Sequence, residues 1–137
     1  MVMAIIGMLA AMLMPALAHS KARAQCIQCV NNLREQGLAF QMFAHDHGSQ
    51  VPASVSADSG GAADAAQTAA HLAGEFYFSY RLFQPLSNDL VNAKLLWCPA
   101  DTRLAADNFA ELRNTNLSYF MALNADPSRP TSIVTGD

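Results

Sequence analysis

Cys26 and Cys29 stand three residues apart in Cys26-Ile27-Gln28-Cys29, the spacing of a dithiol that shuttles electrons or holds a soft metal. Redox use of such a pair needs a helix N-terminus, where the macrodipole lowers the thiol pKa. These two lie in the middle of a helical pattern, and no second C-x-x-C and no Cys/His pair at zinc spacing accompanies them. His45-Asp46-His47 is the only His-rich run. Successive helical side chains diverge by about 100°, so these three do not face one ion and read as a solvated helix end. Asp101, Asp107, Asn108, Asn124 and Asp126 offer oxygen ligands for calcium, but without EF-hand spacing they read as ordinary loop polarity. The other histidines, His19 and His71, lie beside an apolar run and in a low-complexity stretch, so none of the four reads as a buried base. There is no G-x-S-x-G, P-loop, H-E-x-x-H or dinucleotide fingerprint. No enzyme activity and no cofactor are expected.

What must position these residues is an N-terminal rod. Residues 1–18, MVMAIIGMLAAMLMPALA, carry no charge and no hydrogen-bonding side chain. They sit at the short end of what crosses a hydrocarbon core of roughly 30 Å. No turn dipeptide separates Ala18 from His47, so the apolar and amphipathic halves read as one helix of about 70 Å. A membrane anchor is expected, with Ile5, Ile6, Leu9, Leu13 and Leu17 as its apolar side chains. Two readings compete with it. One is a secretory signal cleaved after Ala18, at the A-x-A site Ala16-Leu17-Ala18, although no basic n-region is present. The other is a buried core helix, for which the roughly 90 remaining residues are too few. Lys21 and Arg23 follow the span, which by the positive-inside rule places the head in the cytoplasm unless a basic leader precedes Met1. Pro15 removes one backbone hydrogen bond, which predicts a kink near residues 11–15 and packing against neighbouring helices.

Placed at helical steps, Cys26, Cys29, Val30, Leu33, Gly37, Phe40 and Ala44 share one face, expected to pack against the head. Gln28, Asn31, Asn32, Glu35 and Asp46 share the other. Gly37 in mid-helix suggests a close approach to the backbone, while Gly48 and Pro52 mark the helix end. Residues 53–74 are rich in Ala, Ser, Gly and Asp and read as a mobile connection, with a short Ala-rich helix around 62–72. Residues 75–86 concentrate Phe76, Tyr77, Phe78, Tyr80, Leu82 and Phe83, expected to plug a small core rather than to stack bases or sugars. Short strands are expected at 94–97, 116–123 and 131–135, with turns at 98–101 and 126–128 and one helical turn or a brief strand at 109–112. Ending in a strand-like stretch suggests a C-terminus cut short.

The expected fold class is therefore α+β, a long helix packed on a small antiparallel sheet. The expected division is 1–24 for the transmembrane half and 25–137 for the head, which takes in the amphipathic half (25–48), the variable loop (53–74) and the sheet (94–137). A formal net charge of -3 with one close basic pair excludes the basic stripe that nucleic-acid binding needs. Three cysteines behind an export-like segment suggest an oxidising compartment, one disulfide and one leftover thiol.

Residues 2–17, VMAIIGMLAAMLMPAL, resemble the hydrophobic segment of type IV pilin-like proteins, especially the pseudopilins of type II secretion. Residues 29–39, CVNNLREQGLA, with Asp46-His47-Gly48 and Pro52, are similar to a subgroup of prepilin-type proteins abundant in Planctomycetes and Verrucomicrobia. Cys98-Pro99-Ala100-Asp101, the stretch Asn116-Leu117-Ser118-Tyr119-Phe120 and Thr135-Gly136-Asp137 extend the likeness over nearly the whole chain except 53–74. The resemblance implies a pilin-like fold and a structural subunit of a secretion or pilus-type filament, held in the bacterial inner membrane by one span with its head periplasmic. Its implied partners are other pilin or pseudopilin subunits and a prepilin peptidase that cuts a basic leader upstream of Met1 before the new terminus is methylated. Pro15 matches the family's helix-bending proline. Cys29 and Cys98 match positions where the subgroup carries cysteines, which implies that pair and makes Cys26 extra, although two bridgeable positions on the rod leave the choice open. The rival functions are a secreted binding protein released after Ala18, with a ligand at the aromatic cluster near Tyr77, and a membrane-tethered thiol protein using Cys26 and Cys29.

Overall fold

The structure is a computed structural model that describes residues 2–67, 76–77, 79–123, 125, 129 and 133–136. Helix α1 (Val2–Asp46) runs for 45 residues without interruption through Pro15. At 1.5 Å per residue it is about 68 Å long. It stops at Gly48, whose φ of 63° is the left-handed conformation that glycine adopts without a Cβ penalty. The Ser49 N–H then donates back to the Ala44 carbonyl at 2.6 Å, so an otherwise orphaned helix-end acceptor is satisfied.

Only the second half of α1 has a buried face, made by Cys29, Asn32, Gln36, Ala39, Phe40, Phe43 and Ala44. The stripe is rotated from the one that hydropathy predicts. Val30, expected inside, is 59% exposed, and Cys26 is exposed as well, whereas Asn32, expected outside, is buried. The reason is that two amides, Asn32 and Gln36, belong to the packed face and pair there with backbone carbonyls. Beyond them Phe40 and Phe43 enter the main core with Leu82, Phe83, Leu86, Leu96, Leu112, Leu117 and Met121. Phe40 meets Phe83 edge-on at a centroid distance of 6.3 Å.

Nothing approaches Gly37: a Cβ there would find no atom within 4 Å. The close contact expected at this glycine is absent, so it carries only the helical cost of glycine. Gly37→Ala should therefore stabilise the head by about 0.5–1 kcal/mol, visible as a rise of roughly 4 °C in melting temperature. An unchanged or lower value would contradict the open environment seen here.

The stretch read as a mobile connection is packed through residue 67. It forms 3-10 turns at Pro52–Ser54 and Ala57–Ser59, and residues 63–67 are helical. Pro52, Ala53, Val55, Ala62 and Ala66 are buried. The Ala62 and Ala63 amides donate to the carbonyls of Pro52 and Val55 at 2.7 and 2.9 Å, closing the segment on itself. Gly61 is forced by this closure, because a Cβ there would lie 2.1 Å from the Val55 carbonyl oxygen. The error has a physical origin: alanine gives little hydropathy contrast, yet its small side chain suits a tight double turn against the core. Residues 68–74 of that stretch, with His71, lie outside the described residues.

Three short strands form one antiparallel sheet in the order β1 (Phe76–Tyr77), β2 (Phe120–Ala122), β3 (Thr135–Gly136). Phe76 pairs with Ala122, Tyr77 with Met121, Phe120 with Gly136 and Met121 with Thr135. The Phe120 ring covers Gly136 so closely that a Cβ would come within 2.6 Å of it. Several expected strands shift. Residues 94–97 do not join the sheet, because Asn92 Oδ1 accepts the Lys94 N–H at 3.0 Å and starts a 3-10 turn, Ala93–Leu96. The expected strand at 116–123 contracts to β2, since Asn114–Asn116 is another 3-10 turn. The one expected at 131–135 contributes only Thr135 among its described residues, and 109–112 is irregular although Leu112 is fully buried. The sheet thus begins before 94, at Phe76.

Candidate functional site

Two surfaces of α1 bear on function, a bare apolar half and the seam that fixes the other half to the head. Residues 2–24 are all exposed, including the expected anchor residues Ile5, Ile6, Leu9, Leu13 and Leu17. The segment is long and apolar enough to cross a membrane, and none of its apolar window is covered by the rest of the chain. A core helix of a soluble fold is covered by its own chain, so that reading fails here. Pro15 lies inside this half, where it has no N–H to give the Ala11 carbonyl. Ala10, Leu13, Met14, Ala16, Leu17 and Ser20 line an open apolar depression on the other side of the helix from Pro15.

The seam begins at Gln25. Residues 95–99, the end of the Ala93–Leu96 3-10 turn and the chain that follows it, run antiparallel to α1, and the helix presents Gln25, Cys29, Asn32 and Gln36 to them, the 4-3-4 spacing of one helix face. Gln25 Nε2 donates to the Pro99 carbonyl at 2.8 Å, Asn32 Nδ2 to the Trp97 carbonyl at 2.9 Å and Gln36 Nε2 to the Leu95 carbonyl at 2.8 Å. Between the first two, Cys29 is joined to Cys98 by a disulfide with Cα atoms 5.2 Å apart. The intervening Leu96 carbonyl accepts from the Ser118 N–H at 3.0 Å, and the Cys98 carbonyl from the Asp101 N–H at 2.9 Å. Every carbonyl from Leu95 to Pro99 therefore has a donor, although the segment belongs to no sheet. Side-chain amides on a helix do here what a neighbouring strand does elsewhere.

Gln36 is the centre of this arrangement. It is 0% exposed, its amide nitrogen holds Leu95, and its Oε1 lies 3.1 Å from the Thr135 hydroxyl of β3. That hydroxyl also lies 2.8 Å from the Phe120 carbonyl of β2. One side chain thus links the rod, the 3-10 turn at Leu95 and the sheet. Hydropathy reasoning missed Gln25, Asn32, Gln36 and Thr135, yet the helical spacing of the three amides with Cys29 was present in the sequence as a polar stripe.

Of the sulfurs, Cys29 and Cys98 are buried together beside Tyr119 and Leu33, and Cys26 remains an exposed thiol one turn away. The aromatic cluster divides. Leu82 and Phe83 are core residues, whereas Tyr80 is partly exposed with the guanidinium groups of Arg81 and Arg113 at 6.0 and 5.8 Å from its ring. The backbones of Phe76 and Tyr77 form β1, and Phe78 lies outside the described residues. Of the oxygen groups considered for calcium, Asp107 pairs with Lys94 at 3.1 Å, and Asn108 Oδ1 accepts the Glu111 N–H at 2.9 Å. Asn124 and Asp126 lie outside the described residues. Among the described residues no three His, Cys, Asp or Glu side chains converge. The His45-Asp46-His47 run is divided, with His45 and Asp46 exposed and the His47 ring stacked on Phe43 at 3.9 Å.

Asp101 carries a pH-dependent contact beside the seam. The Ser118 hydroxyl donates to its Oδ2 at 2.9 Å and, with the Arg103 and Thr102 amides and the Arg103 charge, holds the carboxyl below its ordinary value of 3.8 against a smaller opposing effect of burial. A depressed carboxyl contributes stability that is complete above the unfolded value and is lost as pH falls through the folded one. The stability advantage of the native chain over Asp101→Asn should therefore hold from pH 7 to about 5 and shrink below about pH 4, read from urea midpoints. Asp89, whose carboxyl burial and Asp46 push up, is common to both proteins and cancels. An advantage independent of pH would contradict the assignment.

No protein-family model, curated protein or solved structure matches this chain.

Proposed function

We propose that the chain is a pilin-like, non-enzymatic structural subunit, held in a bacterial inner membrane by residues 2–18 and assembling through them into a type II secretion or pilus-type filament with its head periplasmic. The observation that carries this reading is the division of α1: its second half is fastened to the head by a disulfide and three amides, while its first half projects bare. A rod of that kind buries its apolar surface in lipid when stored and against other rods when stacked. Head-to-tail stacking is a heterologous contact that propagates as a helix, and it needs no cofactor, calcium or catalytic group. Its partners are further copies or related subunits, the membrane and, where a leader precedes residue 1, a prepilin peptidase. The apolar depression along Ala10, Leu13, Met14 and Leu17 suits a place where a neighbouring helix packs.

The test is a photo-reactive residue at Leu13 in cells that express the whole locus. Irradiation is expected to give a ladder of crosslinked copies or related subunits. Adducts to lipid alone would leave an anchor and remove the filament. The competing reading, a secreted binding protein released after Ala18, draws on the fact that head contacts begin only at Gln25, so that cleavage spares the head. It requires a soluble product beginning at His19.

A further inference from the structure

Between the apolar run and the head lies a short length of bare helix. The uncharged run ends at Ala18 and the first contact with the head is Gln25, so residues 19–24 are covered by neither. Six residues of helix measure about 9 Å. The polar layer on each side of a hydrocarbon core of roughly 30 Å is about 5–7 Å deep. If residues 2–18 span, Lys21 and Arg23 stand within the headgroup layer, with the Pro99 end of the head directly above it.

Both side chains are exposed, and among the described residues neither has an ion-pair partner. The first acidic residue of the sequence is Glu35, about 18 Å up the helix from Arg23 and beyond the screening length of about 8–10 Å. Asp101, two residues beyond Pro99, is held by Ser118 and Arg103. Among the described residues no carboxylate pairs with Lys21 or Arg23. Two positions apart on a helix is about 200°, so Lys21 and Arg23 point to opposite sides and do not share one phosphate. Long basic side chains reach from such positions to headgroup level while their methylene stems lie along apolar surface.

Resting on the membrane reading above, we infer that Lys21 and Arg23 form a cationic collar that takes the phosphates of two anionic phospholipids, one on each side of the rod. The collar sets the height of the head above the bilayer and enriches anionic lipid around the stored subunit. Each basic residue near an anionic surface changes affinity by about fivefold, so the pair together changes it by roughly 25-fold.

The test uses the full chain purified in dodecyl maltoside and titrated with phosphatidylglycerol or phosphatidylcholine under native mass spectrometry. Two preferred phosphatidylglycerol molecules are expected. Lys21→Gln and Arg23→Gln should each remove one and lower the preference about fivefold, with Trp97 emission unchanged as a check on the head. Equal affinity for the two lipids, or a preference that survives the double variant, would overturn the collar while leaving the span intact. Displacement of phosphatidylglycerol by millimolar inorganic phosphate would make it a free-anion site and overturn the lipid assignment. A chain that stays dispersed without detergent and binds neither lipid would overturn the membrane reading and the collar with it.

Discussion

Replacing Cys29 and Cys98 together by serine should cost the head about 4 kcal/mol. The bond closes a loop with a sequence separation of 69, and the chain-entropy relation for a loop of that size gives a stabilisation of that order through the unfolded state. Part of the loss arises in the folded state, because both sulfurs are buried against Tyr119 and Leu33, where a serine hydroxyl would lack their apolar contact. The urea dependence should also steepen, since an unfolded chain without the crosslink exposes more surface. Urea unfolding of the oxidised protein and the double variant reads both effects. Cys26→Ser is the internal control: that thiol is exposed and unbridged, so the expected change is within about 0.5 kcal/mol. A large loss at Cys26 with little at Cys29 would mean that the crosslink uses the other helix position.

Gln36→Leu is expected to destabilise the head by about 2–3 kcal/mol, although leucine is close in size and apolar. A view of α1 as a simple hydrophobic stripe gives the opposite sign, because it treats a buried amide as a defect that leucine repairs. The structure gives the cost instead. Leucine leaves the partly buried Leu95 carbonyl without its donor and removes Oε1 from beside the Thr135 hydroxyl, which keeps the Phe120 carbonyl, and a polar group left unpaired away from water costs about 1–3 kcal/mol. Gln36→Glu should be worse, since it sets a carboxylate against a carbonyl in a fully buried position. A double-mutant cycle with Thr135→Val isolates the link to the sheet and should show coupling of at least about 0.5 kcal/mol. Neutral or stabilising Gln36→Leu would show that the amide seam does not hold the rod.

These two predictions also mark what the sequence made legible. The long helix was readable because nothing between Ala18 and His47 breaks it and because Gly48 offers the left-handed stop that it takes. The apolar character of residues 1–18 needed no structure to see. The packed face of the second half was misread because hydropathy ranks Asn32 and Gln36 with solvent, whereas their partners are carbonyls some 60 residues distant. The same blindness made 94–97 a strand: its neighbours' hydrogen bonds go to a helix, a partner that strand signals do not anticipate. The two-residue strands β1 and β3 fall below what alternation can reveal, since a period of two needs several residues to show. The Ala-rich stretch 53–67 was legible in composition but not in order, because its stability lies in turn geometry around Gly61.

The central claim is that the bare half of α1 stays on the protein and resides in the membrane. The direct measurement is the intact mass and N-terminal sequence of the chain expressed from its full locus and recovered from separated membrane and soluble fractions. The account predicts membrane-bound protein that retains residues 2–18, with a processed and methylated terminus upstream wherever a prepilin leader is encoded. A soluble protein beginning at His19 would contradict it and leave a secreted head whose ligand must be found by other means.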